Sequence, residues 1–331
     1  MTAQDMQVFH HLEEVPADFG PTAVSVGNFD GVHRAHQEVV SHMVANARSF
    51  GGKAVVVTFD PHPFRILRPD VAPKLLTPLP VKLKRLERIQ VDAVLVLPFT
   101  RDLSLTTAED FARQVLVDIL HAREVHEGYN FHFGHKAQGN VNTLAVLGKQ
   151  CGFEAKIYSE MLLRGCHVSS SEIRKLLLAG HVTRARTLLG RPFSIVANPG
   201  RGRGYGHKYT VPTVNLARYD ELVPADGVYI SWLRVGGECF EAVTNIGKRP
   251  TFGEESFAIE SHLLNFHPID LLPETELELT FLKRLRSEIK FPSVDALREQ
   301  IAKDVHKARR YFHLEKLPAS SRELRAPSFG L

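Results

Sequence analysis

Two histidines, three residues apart, follow the first apolar run of the sequence in a glycine-containing segment. The segment Gly27–His36 has the sequence GNFDGVHRAH, and a helical pattern follows it. Glycine permits sharp backbone turns, and the N-terminus of a helix offers free N–H groups and a positive dipole end to an anion. Both His33 and His36 can donate hydrogen bonds to phosphate oxygens. This chemistry would stabilise charge during attack on a nucleoside triphosphate.

Two other interpretations of this segment stay open on spacing alone. Asp30, His33 and His36 have side chains that bind metal ions, so they could form a three-ligand site. The histidines could also serve only as helix caps or packing groups. The surrounding glycines and the position between a strand and a helix favour phosphate binding.

A second segment with anion-binding chemistry is Ser169–Arg174, with the sequence SSSEIR. Hydroxyl groups at Ser170 and Ser171 and the guanidinium of Arg174, at the start of a predicted helix, suit the outer phosphates of a nucleotide. An ordinary N-cap followed by a surface arginine would explain the same residues.

Other nucleotide-binding and nucleic-acid-binding patterns are absent from the sequence or weak in it. No G-x-x-x-x-G-K-[ST] motif is present, so a kinase activity here would not use a P-loop. The glycines of the run Gly200–Lys208 do not have G-x-G-x-x-G spacing, which argues against a dinucleotide fold of that kind. The same basic run could bind RNA, although it is short and lacks a row of stacking aromatic residues.

The elements that position these residues fall into two patterns, of which the first covers residues 22 to about 160. Short β-branched runs alternate there with helical stretches, which predicts βαβ units around a parallel sheet. Ligands of such sheets bind beyond the carboxyl ends of the strands, so the loops after Val26, Phe59 and Glu127 should carry the chemistry. The predicted strands are 23–26, 54–58, 93–97, 124–127 and 154–158, and the predicted helices are 36–49, 81–89, 107–121 and 141–150.

From residue 170 onwards the pattern changes. Residues 170–190 predict two short helices, with Ser169–Ser171 as N-cap candidates and Gly180 as the stop of the first. The following short alternating strands, punctuated by Gly, Pro and Asn, indicate a small antiparallel barrel. An amphipathic helix over 293–312 with Ser293 as its N-cap then leads to a loose tail. The predicted strands of the barrel are 227–234, 240–245, 258–264 and 276–282.

Composition places the chain among two-domain globular proteins of a reducing compartment. It has 331 residues, 44% of them hydrophobic, and a net charge of +4 that suits an anionic ligand without indicating nucleic acid. Three widely spaced cysteines predict neither a disulfide framework nor a thiolate zinc site. The N-terminus lacks the apolar core of a secretory signal, and no apolar run could span a bilayer. We therefore expect a cytoplasmic protein.

Four segments of the first half together resemble one enzyme family. Gly27–His36 is similar to the G-x-F-D-x-x-H-x-G-H signature of the nucleotidyltransferase superfamily. Thr58–Pro63 (TFDPHP), Gly128–Gly134 (GYNFHFG) and Ser169–Arg174 resemble loops of the adenylyltransferase half of prokaryotic bifunctional riboflavin kinase/FAD synthetase. The resemblance implies an FMN adenylyltransferase that uses ATP. It implies flavin contacts at Asp60, His62 and Asn130, and ATP contacts at Gly27, Asn28, Phe29, Asp30, His33, His36, Ser170, Ser171 and Arg174.

The second half resembles the riboflavin kinase fold of the same family. Val211–Asn215 (VPTVN) is similar to its P-T-A-N motif, and segments around Gly227, Asn245–Phe252 and Ile259–His262 follow in the family's order. The resemblance implies that Thr213 and Asn215 hold Mg²⁺ and that Gly202 and Gly206 contact ATP. It also implies that Glu260 is the general base for the riboflavin hydroxyl. An ordinary turn would explain Asn215 without metal binding, and a solvated position on a strand would explain Glu260 without catalysis.

The resemblance covers about residues 20–312, with some departures. Ala35 stands where the family usually has Gly, and His207 and Thr210 depart from its kinase pattern. Two alternatives therefore stay open. One is the same fold with one half degenerate, such as a weakened kinase, and the other is a non-catalytic flavin or RNA binder. The predicted domains are an α/β adenylyltransferase over 1–188, an antiparallel β-barrel kinase over 189–315 and a loose tail over 316–331. The expected partners are riboflavin, FMN, FAD and ATP, without nucleic acid or membrane, for a monomer or weak homo-oligomer.

Overall fold

The computed structural model describes residues 5–200, 213–250, 255–267 and 271–314. The chain divides into two compact units, Met1–Ser170 and Ser171–Leu331. Gly202, Gly206, His207, Thr210 and the predicted tail lie outside the described residues.

A parallel sheet forms the centre of the first unit. Its strand order is β1-β4-β3-β2-β5-β8, and every neighbouring pair is parallel. The strands of the unit are β1 (Gln7–Phe9), β2 (Thr22–Val26), β3 (Lys53–Asp60), β4 (Ala93–Pro98), β5 (Ala122–Gly128), β6 (His132–Phe133), β7 (Gly139–Asn140), β8 (Glu154–Tyr158), β9 (Leu162–Leu163) and β10 (Cys166–His167). The pairs β6–β7 and β9–β10 are small antiparallel hairpins outside the sheet.

Helices cover both faces of this sheet. They are α1 (Arg34–Ser49), α2 (Pro63–Leu67), α3 (Leu79–Glu87), α4 (Arg101–Leu105), α5 (Ala108–Phe111), which continues as a π-helix over Ala112–Ile119, and α6 (Val141–Cys151). One apolar core includes Met43 of α1 and Leu86 of α3, and the other includes Leu116 and Leu144. Strands buried on both faces explain why the sequence shows apolar runs here instead of strict alternation.

The strand order creates a switch point between β2 and β5. From β2 the chain continues outwards through β3 and β4, whereas β5 lies on the other side of β2. Loops from the two central strands therefore diverge above their carboxyl ends and leave a crevice where ligands bind in folds of this type. Gly27–His33 follows β2 and Tyr129–Phe131 follows β5, so two of the predicted motifs lie at this crevice.

The second unit contains a six-stranded antiparallel sheet, in the order β11-β16-β13-β14-β15-β12. Its elements are α7, which begins at the division between the units (Ser170–Leu178), α8 (Val182–Leu189), β11 (Phe193–Ala197), β12 (Thr213–Asn215), β13 (Gly227–Val235), β14 (Glu238–Pro250), β15 (Glu255–Leu263), β16 (Leu277–Arg286) and α9 (Val294–Leu314). The predicted fold class, α/β followed by antiparallel β and a terminal helix, is confirmed.

Two predicted helix boundaries in this unit have the expected chemistry. Gly180 ends α7 at a φ of 77°, a left-handed conformation that glycine adopts without a Cβ clash. At the start of α9 the Ala296 N–H donates to Ser293 Oγ at 3.2 Å, so the predicted N-cap is confirmed. The apolar face of α9 packs through Ala308 on a cluster that includes Ile230 and Val243.

Candidate functional site

The loop after β2 is held in an uncommon backbone conformation. Phe29, Gly31 and Val32 have φ values of 45°, 85° and 39°. Positive φ at two residues other than glycine costs conformational energy, and such conformations cluster at functional sites. The side chains of Phe29 and Val32 are buried in the core against α1 and α3, which holds the strained loop in place.

His33 is the N-cap of α1. Its Nδ1 accepts a hydrogen bond from the backbone N–H of His36 at 3.4 Å, so in the neutral ring the proton is on Nε2. The two imidazole rings stack with centroids 3.6 Å apart. The cap therefore fixes the tautomer of His33, with its proton on Nε2, and orients the ring at the start of α1.

His36 is neutral in the ligand-free protein at physiological pH. Its pKa lies well below the usual 6.5 because of burial, followed by the nearby positive charges of His33 and Lys82. Its Nδ1 is buried without a hydrogen-bond partner among the described residues. A buried polar atom left unpaired costs free energy and is usual where a ligand completes the site.

Asp30 ties the loop to a neighbouring segment of the chain. Its Oδ1 accepts hydrogen bonds from the backbone N–H groups of Leu76 and Thr77, both at 2.9 Å, and its backbone carbonyl accepts one from Ser170 Oγ at 2.8 Å. Among the described residues, no group of three or more His, Cys, Asp or Glu side chains could hold a metal ion. The alternative of a three-ligand metal site at Asp30, His33 and His36 therefore finds no support.

The predicted flavin-contacting residues follow β3 and β5. His62 is buried and caps α2, because its Nδ1 accepts the Phe64 N–H at 3.2 Å. Asp60 at the end of β3 and Asn130 after β5 are both exposed. Ser171 and Arg174 lie in the first turns of α7, in the second unit of the chain.

Glu127 at the crevice was missed by the sequence analysis. It is 4% exposed near the carboxyl end of β5, and its Oε1 accepts the Val26 N–H of β2 at 2.6 Å. Burial raises the pKa of this carboxyl well above its usual value, and the hydrogen bond from Val26 offsets only part of that effect. The signal in the sequence was a glutamate inside a buried strand.

Lys82 on α3 was missed as well. Its side chain is buried, and the ammonium Nζ donates to Thr58 Oγ1 at 3.2 Å. Burial lowers the pKa of Lys82, while the negative charges of Asp30 and Asp60 raise it and so favour the charged form. No sequence motif marks Lys82, because its burial depends on how α3 packs on the sheet.

A buried network joins β5, β8 and α1. The ring nitrogens of His126 form hydrogen bonds with Tyr158 Oη and Glu124 Oε2, both at 2.9 Å. Asn46 Nδ2 donates to the same carboxylate oxygen at 3.0 Å. Burial lowers the pKa of His126 and raises the pKa of Tyr158 to about 12. The network fixes β8 and α1 on the sheet beside the crevice.

In the second unit, strand register brings the predicted kinase residues together. Asn215 of β12 pairs with Glu260 of β15, and Glu260 pairs on its other side with Asn245 of β14. Directly opposed residues of antiparallel strands share a face, with Cβ atoms about 5 Å apart. Thr213 lies two residues before Asn215 and therefore shares its face. The sequence analysis assigned no role to Asn245, although its motif contained the residue.

Comparisons with known proteins identify both halves. Residues 15–172 match the family model described as FAD synthetase, and residues 189–312 match the one described as riboflavin kinase. Proteins named bifunctional riboflavin kinase/FMN adenylyltransferase are 34% identical in Haemophilus influenzae and 33% in a Buchnera aphidicola subspecies. The alignments cover 93% and 92% of this chain and 100% and 97% of those proteins.

The chain belongs to the bifunctional riboflavin kinase/FMN adenylyltransferase family. Its two enzymatic activities are those of the matched halves, from riboflavin to FMN and from FMN to FAD, and this prediction is confirmed. The full architecture also occurs in a solved structure described as a macrolide-efflux protein from Streptococcus pneumoniae. That structure has 26% identity, a TM-score of 0.83 and coverage of 92% of this chain and 99% of that one. Within the described residues, no helix is long and apolar enough to cross a membrane.

Proposed function

We propose that the two reactions of this family member run at separate sites formed by the residues described above. In the first unit, Gly27, Asn28, Phe29 and Asp30 form the ATP-binding loop, and His33 and His36 donate hydrogen bonds to the triphosphate. Ser170, Ser171 and Arg174 bind the outer phosphates, as helix N-termini and guanidinium groups do. The observation that supports this most is His36 in the first turn of α1, whose Nδ1 is buried without a hydrogen-bond partner among the described residues.

The adenylyl transfer needs no protein base. The FMN phosphate carries close to two negative charges at neutral pH, because its second pKa is near 6. One of its oxygens attacks the α-phosphorus of ATP, forming a P–O bond, and the bond to the β-phosphate oxygen breaks to release pyrophosphate. The negative charge moves onto the leaving group, where the His33 and His36 donors stabilise it. Asp60, His62 and Asn130 hold the flavin.

In the second unit we propose Glu260 as the general base of the kinase. Its carboxylate accepts the proton of the ribityl 5′-hydroxyl as the hydroxyl oxygen attacks the γ-phosphorus and ADP leaves. Asn215 and Asn245 flank Glu260 in the same row, so their amide groups can orient the carboxylate. Gly202 and Gly206, outside the described residues, are proposed as ATP contacts.

The donor set beside Glu260 fits Mg²⁺. The Thr213 hydroxyl and the Asn215 amide oxygen are hard, neutral ligands on one face of β12. Mg²⁺ prefers six oxygen ligands, so phosphate oxygens and water would supply the others. When bound, Mg²⁺ would neutralise charge on the ATP phosphates. We propose Thr213 and Asn215 as its protein ligands.

The proposal also covers the domain boundary, the cellular compartment, the oligomeric state and the partners. We place the boundary between the catalytic domains at residues 188 and 189, close to the start of the riboflavin kinase match at residue 189. None of the three cysteines, Cys151, Cys166 and Cys239, forms a disulfide, which suits a reducing compartment and supports a cytoplasmic enzyme. We propose a monomer or weak homo-oligomer whose partners are its flavin and nucleotide substrates, without nucleic acid.

Variants in each half test these assignments, because the other half of the same chain serves as the control. Glu260→Gln should abolish FMN formation from riboflavin while FAD formation from FMN stays at the wild-type rate. His36→Gln should lower FAD formation by about 100-fold, the scale of losing a charge-stabilising donor, and leave the kinase unchanged. Equal effects of either variant on both reactions would contradict separate sites with these residues.

A further inference from the structure

Lys82 is a buried cation whose hydrogen-bonding capacity is mostly unused. An ammonium group has three N–H donors, and its side chain here is only 6% exposed. Among the described residues it makes one hydrogen bond, to the neutral hydroxyl of Thr58 at 3.2 Å. A desolvated charge with a single neutral partner is unfavourable, so such a residue usually has a partner that binds from outside the chain.

Its surroundings identify the chemistry of that partner. The charge of Lys82 lies close enough to lower the pKa of His36, whose Nδ1 is buried without a hydrogen bond among the described residues. Thr58 Oγ1, which accepts the hydrogen bond from Lys82 at 3.2 Å, itself donates to the Asn28 carbonyl at 3.4 Å, so the ammonium lies beside the loop Gly27–His33. An imidazole N–H and an ammonium group beside the same loop suit a phosphate oxygen.

A structural ion pair is the competing explanation, since Asp30 and Asp60 both attract Lys82. The Asp30 carboxylate, however, already accepts hydrogen bonds from the backbone of Leu76 and Thr77, and Asp60 is exposed. The hydrogen bond that Lys82 makes among the described residues goes to the Thr58 hydroxyl and not to either carboxylate. These two charges keep the ammonium protonated without saturating its donors.

We propose that Lys82 is a phosphate-binding residue of the adenylyl-transfer site, where its ammonium donates to a phosphate oxygen of the reactants beside His33 and His36. The inference rests on the proposed function of those two histidines. A fixed positive charge there would bind the triphosphate and stabilise the charge that moves onto pyrophosphate as the bond to the α-phosphorus breaks. The same chemistry would also accept the phosphate of FMN, and the test separates the two sources.

The test compares Lys82→Met with Lys84→Met, which removes an exposed lysine from the same helix. Initial rates of FAD formation from FMN and ATP report the first unit alone, which avoids the second ATP site in the chain. For Lys82→Met we expect kcat/KM for ATP to fall by about 10- to 100-fold, the scale of a charge-assisted hydrogen bond. The inhibition constant of pyrophosphate should rise by a similar factor while that of adenosine stays unchanged. Lys84→Met should behave as wild type.

Further measurements distinguish phosphate binding by Lys82 from a purely structural role of this residue. The kinase rate of Lys82→Met should equal wild type. Its thermal midpoint should be equal or higher, because a buried charge that has only a neutral hydrogen-bond partner has been removed. A lower midpoint, equal weakening of adenosine and pyrophosphate, or a kcat/KM within twofold of wild type would overturn the proposal. A rise confined to the KM of FMN would assign the contact to the FMN phosphate. Absence of FAD formation in the wild-type protein would instead refute the proposed function.

Discussion

Replacement of Glu127 by Gln should change how the stability of the first unit depends on pH. Gln keeps an acceptor for the Val26 N–H, which Glu127 binds at 2.6 Å, and it removes the titrating proton. The carboxyl has a pKa well above the usual 4.5 in the folded chain because it is buried. In the unfolded chain it ionises at its usual value. The wild-type folded state therefore binds one more proton than the unfolded state across the interval between these two pKa values.

The sign and size of the effect follow from this difference in bound protons. Wild-type stability should fall as pH rises through that interval, by about 1.4 kcal/mol per pH unit for one proton. The advantage of Glu127→Gln over wild type should accordingly grow as the pH rises above 4.5, until the carboxyl ionises in the folded chain as well. Glu127→Leu should behave differently, since it leaves Val26 N–H without an acceptor and costs about 1–3 kcal/mol at every pH.

The assay must report the first unit by itself. The single tryptophan, Trp232, lies in the second unit, so its fluorescence is unsuitable. Urea unfolding at several pH values can be followed by pulsed hydrogen exchange of the peptide that contains Val26, with the exposed Glu87→Gln as the matched control. Stability curves of wild type and Glu127→Gln that stay parallel as the pH rises above 4.5 would show that Glu127 ionises at its usual pKa in the folded protein, and would refute the reasoning.

Two further perturbations test other parts of the molecule. Burial and neighbouring positive charges hold the pKa of His36 low, and a bound triphosphate should raise it. ATP binding should then take up a proton, so the KM for ATP in FAD formation should rise with pH. If the KM rises as steeply with pH in His36→Gln as in wild type, His36 is not the group that takes up the proton. In the second unit, Asp304 is 2% exposed and accepts a hydrogen bond from Arg286 Nε at 2.8 Å. Asp304→Asn should therefore lower the free energy of unfolding, measured by Trp232 fluorescence, by about 3 kcal/mol. A loss below about 0.5 kcal/mol would show that the Arg286–Asp304 pair does not stabilise the fold.

The sequence predicted the elements whose signals are local. Short runs of four or five residues, most of them rich in β-branched side chains, predicted the central strands, and turn and cap residues such as Gly180 and Ser293 predicted helix limits. Strand β1, three residues long, was missed because Gln7–Phe9 is too short for a periodic pattern. The helix predicted over 107–121 changes hydrogen-bond register at Ala112 and continues as a π-helix, which the same apolar spacing does not reveal.

The site residues also fall into two groups, those with a local sequence signal and those without one. Motifs identified His33, His36 and Glu260 because their spacing is set along the chain. Glu127, Lys82 and Asn245 became visible only through tertiary structure, since their significance comes from burial or from the strand register beside them. A lysine in a helix usually faces solvent, and only the packing of α3 shows that Lys82 does not.

The most direct test of the account is chromatography of flavins after the purified chain is incubated with Mg²⁺ and ATP, in one tube with riboflavin and in another with FMN. The account predicts FAD in both tubes, with FMN appearing first in the riboflavin tube. FAD from FMN alone would mean that the departures at His207 and Thr210 disable the kinase. FMN without FAD would implicate Ala35 in the transferase. No phosphorylated or adenylylated product in either tube would contradict the central claim that one chain carries both activities.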